Sequence, residues 1–388
     1  MDFDKLTQRR GTASYKWDTP DDADVLPLWV ADMDFPTAPA VIDALRRRVD
    51  QGIFGYTKVP KEYYQAVVDW FANRHGWTID ASHILYTSGV VPALSAIIKG
   101  LTRPGDKVIV QTPAYNCFFS SIRNNGCQLA ANPLVYHADG TYSIDFDDLE
   151  RLASDPETTL MILCNPHNPA ARVWTREELR RIGEICNKNN VTVVSDEIHC
   201  ELTFDGYAYT PYASLSDELA WHSVCCNSPS KAFNTAGLQI ANIVTPDPVK
   251  RAKIDRAIND NEVCDVNPFG IVGLIAAYTQ GGEWLEGLKK YLWSNYQWIK
   301  EAFETHLPQL KLTPIEATYL LWVNIAATGL NSDQLCDTLV REARVMLSPG
   351  SIYGPGGDNF VRINLATQRS RLEDAFERML PILSSLQH

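Results

Sequence analysis

From about residue 60 onward the chain alternates two hydrophobic rhythms. Stretches with apolar residues three or four apart give way to short runs rich in β-branched residues, the pattern of strands joined by crossover helices. The first helix is predicted with Pro60 in its opening turn, Tyr64, Val67, Val68 and Phe71 at helical spacing, and Gly76 ending it in a left-handed cap. Residues 83–87 then read as a strand, 91–101 as a helix, Arg103-Pro104-Gly105-Asp106 as a turn and 107–110 as the next strand. The rhythm returns with a strand over 160–164, a helix over 175–189 opened by Thr-Arg-Glu-Glu, and a strand over 191–195. Strands are expected at 222–226 and 240–244, mainly helical text to about residue 303, and strands again near 319–324 and 360–365. Runs this apolar are buried on both faces, which predicts an α/β fold with a mostly parallel sheet covered by helices.

At 388 residues a single core has usually stopped growing. No repeat or linker marks a boundary, so the order of elements sets it. A large parallel-sheet domain is expected over 49–279, and a smaller α+β lobe from both chain ends, 1–48 and 280–388. The formal charge is 35 minus 47, or −12, which argues against a phosphate-backbone footprint and hence against nucleic acid as a partner. An anionic substrate would need a local cluster of donors. The nine cysteines are scattered singly apart from Cys225-Cys226, with no CxxC, neither a disulfide framework nor a zinc pattern, so a reducing cytoplasm is expected. The start MDFDKLTQRRG lacks an apolar core, and the longest uncharged stretch, 266–282, is broken by Asn, Pro and Gly. Neither a signal peptide nor a membrane span is expected.

In open α/β sheets the ligand crevice lies beyond the carboxyl ends of the strands. The polar residues standing there are Gly89-Val90 after the first strand, Tyr115 after the second, Asn165 and Asn168 after the third, Asp196 and His199 after the fourth, and Ser228 with Lys231 after the fifth. Lys231 is either solvated or held as an amine nucleophile. Ser228-Pro229-Ser230-Lys231 also satisfies S-x-x-K, but the S-D-N and K-T-G partners of that serine-nucleophile pattern are missing. Asp196 could cap the next segment, bind metal or pair with a protonated ring nitrogen; no clustered His/Asp spacing supports metal. An acid and a lysine at neighbouring strand ends are what a pyridoxal cofactor requires. Gly89-Val90, between strand and helix, could hold a phosphate on backbone N–H groups, and neither nucleotide-binding glycine motif is present. Tyr115 is packing or an aromatic plate. Arg362, alternating with Val361 and Ile363, is expected to face away from the apolar side, toward solvent or a substrate carboxylate.

These motifs together resemble the fold-type I pyridoxal-phosphate enzymes of the class I and II aminotransferase group, and within it the branch of cystathionine β-lyases and cysteine-S-conjugate β-lyases. The supporting text spans nearly the whole chain: WVADMDF at 29–35, FGYT at 54–57, TSGVVPALS at 87–95, TPAYNCFF at 112–119, NPHNP at 165–169, SDEIH at 195–199, SPSKAFNTAG at 228–237 and YGPGGDNFVRINLAT at 353–367. The resemblance implies an aspartate-aminotransferase-like fold with pyridoxal 5'-phosphate as cofactor. Lys231 would be joined to the cofactor aldehyde, Asp196 would pair with the pyridinium nitrogen, Asn168 would donate to the ring hydroxyl oxygen and Tyr115 would stack on the ring. Gly89, Val90 and Ser228 would hold the phosphate, and Tyr56 would reach the phosphate of a neighbouring subunit, implying a homodimer with shared active sites. Arg362 would bind the substrate α-carboxylate, with Tyr115 and Asp32 also on the substrate.

Three positions depart from the aminotransferase pattern. Gln239 stands where many of these enzymes carry an arginine eight residues after the lysine, which resembles the lyase branch. His199 takes the place of a tyrosine near the ring hydroxyl. Ala170-Ala171 replaces a pair ending in glycine after NPHNP, so alanine is strained there if the backbone needs positive φ. The implied activity is β-elimination from an amino acid bearing a β-thioether, such as cystathionine, to thiol, pyruvate and ammonia. An aminotransferase is the alternative, and a non-catalytic regulatory protein on the same fold is the alternative of another class.

Overall fold

Seven strands form the central sheet of the computed structural model, which describes residues 1–260 and 265–386. They are β1 (Ile84–Thr87), β2 (Lys107–Thr112), β3 (Gln128–Pro133), β4 (Thr158–Cys164), β5 (Thr192–Asp196), β6 (Ser223–Asn227) and β7 (Ala241–Val244), in the spatial order β1-β7-β6-β5-β4-β2-β3. From β3 to β6 neighbouring strands are parallel, whereas β7 runs antiparallel to both β1 and β6. The fold class is the expected one. β3 is an additional edge strand: Gln-Leu-Ala-Ala-Asn-Pro has no β-branched residue, and its terminal Pro133 is tolerated at an edge.

Alternation within the strands feeds two cores, because successive side chains face opposite ways. Val108, Val110, Ile162 and Val224 pack with Leu94 and Ile97 of helix Val90–Leu101, while Ile109, Met161, Leu163 and Val193 lie in the core of the other face with Leu179 and Ile182 of helix Arg176–Lys188. The local signals form as expected. Gly76 caps helix Lys61–His75 at φ 62°, and Thr175 with Glu178 closes a capping box.

The smaller lobe holds an antiparallel four-stranded sheet of β8 (Lys311–Leu312), β9 (Leu320–Asn324), β10 (Ser348–Pro349) and β11 (Phe360–Asn364), in the order β8-β9-β11-β10. Leu26–Pro27 pairs in parallel with Val345–Met346, which brings the N-terminal segment into this lobe. Helix Pro39–Asp50 packs on helix Pro268–Gln280, so the divisions expected after residues 48 and 279 both fall inside helices of one packed pair.

Candidate active site

The register of the parallel strands assembles the site. Cys164 pairs with Asp196 and Asp196 with Cys226, so β4, β5 and β6 end level and their following loops share one crevice. Reversal of β7 sets Asn242 beside Asn227 and Ala241 beside Thr87. The start of β7 therefore joins the same edge. The result is a cavity of about 190 Å³ lined by Gly89, Val90, Tyr115, Asn168, Asp196, His199, Ser228 and Lys231, together with Ala31, Ser88, Ser230 and Gln239.

Asp196 is 3% exposed. Among the described residues its carboxylate accepts only the backbone N–H of Ile198, at 3.1 Å, so the turn-capping role is real but occupies one oxygen. Burial, reinforced by the neighbouring Glu197 charge, pushes its pKa up to about 7; Ile198 N–H and Lys231 pull the other way. Lys231 shows the mirror effect. Burial and the Arg362 charge lower its amine to about 8, against the pull of Asp32 and Asp196, and Nζ donates to Ala31 O at 2.7 Å.

Arg362 does not reach solvent. β11 is covered on both faces, and the side chain is 4% exposed; Nη1 donates to Asn168 Oδ1 at 3.2 Å and Nη2 to Trp29 O at 2.9 Å, and the guanidinium carbon stands 5.0 Å from the Tyr353 ring centre. The alternation with Val361 and Ile363 pointed to a polar face, and on that face the guanidinium is buried and reaches the cavity wall through Asn168. Because Asn168 spends its oxygen on Arg362, its amide leaves two N–H donors for another acceptor. His199 is buried with Nδ1 unpartnered, and burial followed by the charges of Lys231 and Arg362 holds its pKa well below the usual range, so the ring is neutral.

At the other end, Gly89 is the N-cap of helix Val90–Leu101, whose first amides are oriented for an anion. Ser228 lines this end, but its hydroxyl donates to Ile240 O (2.7 Å) and accepts from Ser230 N (3.1 Å), so its proton is spent within the loop. Ser230 and Ser88 stand beside it on the wall. Gln239 takes a left-handed conformation at φ 52°. Tyr115 lines the cavity as the N-cap of helix Asn116–Asn124, its phenol raised by burial.

Tyr56, expected at a neighbouring subunit's phosphate, and Asp32 do not line this chain's cavity. Tyr56 is 98% exposed, on the same surface loop as the exposed Ile53 and Phe54. Asp32 gives both carboxylate oxygens to Arg9, at 2.7 and 2.9 Å, and does not line the cavity. The positive φ foreseen after NPHNP occurs at Ala171, 54°, where its carbonyl accepts the N–H groups of Glu316 and Ala317. Sequence reasoning missed Ala31, which acts through its backbone, and Tyr319, whose hydroxyl donates to the same Ala31 carbonyl at 2.9 Å.

Comparison with known proteins agrees with this geometry. Residues 23–379 match the family described as aminotransferase class I and II. The chain is 44% identical over 388 residues to cystathionine beta-lyase PatB of Bacillus subtilis, covering 99% of this chain and 100% of that protein. It is 32% identical to protein MalY of Escherichia coli, over 96% of each chain. Among solved structures it is similar to cystalysin from Treponema denticola, which contains a pyridoxal 5'-phosphate cofactor, with a TM-score of 0.96 and 34% identity, covering 100% of this chain and 99% of that one.

Proposed function

The chain belongs to the aminotransferase class I and II family, and we propose that within it the chain is a pyridoxal-phosphate-dependent carbon–sulfur β-lyase acting on cystathionine or related cysteine S-conjugates. One observation carries the reading: an amine of lowered basicity, Lys231, and a buried acid with no ion-pair partner among the described residues, Asp196, line the same cavity. Full-length similarity to a cystathionine β-lyase supports the thioether as substrate.

The residues present fit the cofactor. Asp196 needs a cation, which a protonated ring nitrogen supplies; Asn168 offers N–H donors to a ring oxygen; Tyr115 offers a face; the amides at Gly89 and Val90, with Ser230 and Ser228 on the same wall, suit a phosphate. Lys231 would be the point of covalent attachment. When bound, the cofactor supplies an electron sink for the pair left behind when the substrate Cα proton departs.

The protein supplies the rest. Arg362, held between Asn168 and Trp29, would take the substrate α-carboxylate as a fixed fork. Lys231, once free, is a base whose pKa near 8 leaves a useful neutral fraction at physiological pH, whereas an ordinary lysine near 10.5 would be almost wholly charged. It would take the Cα proton and can return a proton to the departing sulfur. Neutral His199 adds no second cation beside it. Overall the C–S bond breaks, one water is consumed, and thiol, pyruvate and ammonia form.

The exposed Tyr56, Ile53 and Phe54 support a homodimer in which Tyr56 completes the phosphate site of a second copy. No helix among the described residues is long and apolar enough to cross a membrane, and the eight described cysteines are free, which supports a cytoplasmic setting. Product analysis tests the activity. With cystathionine and no added keto acid, pyruvate and thiol are expected to appear in equal amounts; product formation only when a keto acid is supplied would make the protein an aminotransferase.

A further inference from the structure

Residues 28–35, of which Ala31 lines the cavity, form neither strand nor helix, yet all eight of their carbonyls accept hydrogen bonds. Buried backbone has to find its partners inside the protein, and outside a strand or helix those partners have to come from side chains and from other segments. The central carbonyls divide by side. Those of Trp29 and Ala31 face the site, one accepting from Arg362 and the other from Lys231. Those of Leu28, Val30 and Asp32 all accept from Asn364: its backbone N–H donates to Leu28 O (2.9 Å) and its Nδ2 to Val30 O and Asp32 O (2.6 Å each), with Asp32 N–H on Val30 O at 2.9 Å and Lys16 Nζ on Asp32 O at 3.5 Å as further donors.

Asn364 is itself fixed. It is fully buried, its Oδ1 accepts Ala366 N at 2.8 Å, and it stands two residues from Arg362 on β11, hence on the same face of the strand. Both amide hydrogens and the oxygen are therefore committed. A second amide, Asn234, three residues after Lys231, holds Met33 and Phe35 at the far end of the segment and touches neither carbonyl that faces the site.

We propose that Asn364 is a positioning residue for this reaction: by gripping Val30 and Asp32 it presents the carbonyls between them to Arg362 and Lys231, and so sets the spacing of the carboxylate-binding guanidinium and the proton-accepting amine. The inference rests on the proposed lyase reading. Spacing matters because a displacement of about 1 Å in a catalytic group costs on the order of 100-fold in rate.

The test compares Asn364→Ala with Asn234→Ala in the cofactor-loaded enzyme. Hydrogen exchange of the peptide covering 28–35, in loaded and cofactor-free protein alike, is expected to accelerate in both variants. Only Asn364→Ala is expected to weaken binding of a non-reacting amino acid, followed by the visible band of the loaded enzyme, and to lower kcat/KM by on the order of 100-fold. It should also move the acid limb of the kcat profile to lower pH, because the ammonium form of Lys231 loses the firm grip of Ala31 O. If Asn364→Ala does not fold, Asn364→Ser, which leaves a smaller void, is read the same way. Faster exchange with wild-type binding, kcat and pH profile would make the segment merely structural and overturn the proposal, as would equal losses in both asparagine variants. Failure of the lyase reading is distinguishable, since it would appear as absence of pyruvate from the wild type.

Discussion

The ends of β4, β5 and β6 and the segment 28–35 bring polar groups to one cavity by opposite means. Asp196 is set by a parallel ladder in which Cys164, Asp196 and Cys226 lie in register, so its place is backed by backbone bonds along three strands. The segment opposite has no ladder at the site. Its carbonyls are held largely by side chains, those of Asn364, Asn234, Arg362, Lys231, Gln368, Tyr319, Arg9 and Lys16. The sheet can therefore lose any one functional side chain and keep its frame, whereas each side chain holding the segment is also part of the frame.

This contrast orders the expected effects of perturbation. Lys231→Ala removes both the proposed attachment point and the proposed base. Turnover is expected to fall by at least about 10⁴-fold while the far-ultraviolet spectrum stays that of the wild type; loss of fold instead would mean that the sheet depends on the contact with Ala31. Arg362→Leu loses the proposed charged contact to the carboxylate, and a net loss of about 1.5–3 kcal/mol means that KM for the amino acid should rise roughly 10- to 100-fold in steady-state kinetics. An unchanged KM would place the substrate carboxylate elsewhere.

The sheet side is probed by pH. Asp196 binds its proton more tightly folded than unfolded, so its own contribution to the stability of the cofactor-free protein should fall as pH rises from 3.8 to about 7, against the opposite contribution of the buried, neutral His199, which grows as pH rises to the usual imidazole range. Glu197, raised to about 6 chiefly by burial, contributes to the lower part of the same fall. Asp196→Asn should flatten the upper part in denaturant melts. Persistence of the slope between pH 6 and 7 would mean that another group carries it.

The smallest effect is expected at Ala171→Gly. Relief of the left-handed backbone, about 1–2 kcal/mol, is offset by extra unfolded-state entropy of about 0.5–1 kcal/mol and loss of a buried methyl of about 0.8 kcal/mol. The net change in melts should stay below about 1 kcal/mol, which accounts for alanine at φ 54°.

What was readable in the sequence follows the same division. Asking which residues stand after each strand found Gly89, Tyr115, Asn168, Asp196, Ser228 and Lys231 because parallel strands that end level must gather them. Gln239 was visible only through family resemblance, since its arrival at the site depends on the reversed direction of β7. For Arg362, alternation alone could not tell a solvent-facing side from a buried one that reaches Asn168 on the cavity wall. The segment 28–35 was least legible. Ala31 contributes a carbonyl, which every residue has, and nothing in a composition or a spacing marks which carbonyl a lysine will find.

Borohydride reduction of the cofactor-loaded protein, followed by peptide mass analysis, tests the central assignment most directly. The account predicts that the reduced cofactor is carried by Lys231 alone and that Asp196→Asn shifts the visible band before reduction. A cofactor mass on a different lysine, or none on the peptide containing residue 231, would contradict it.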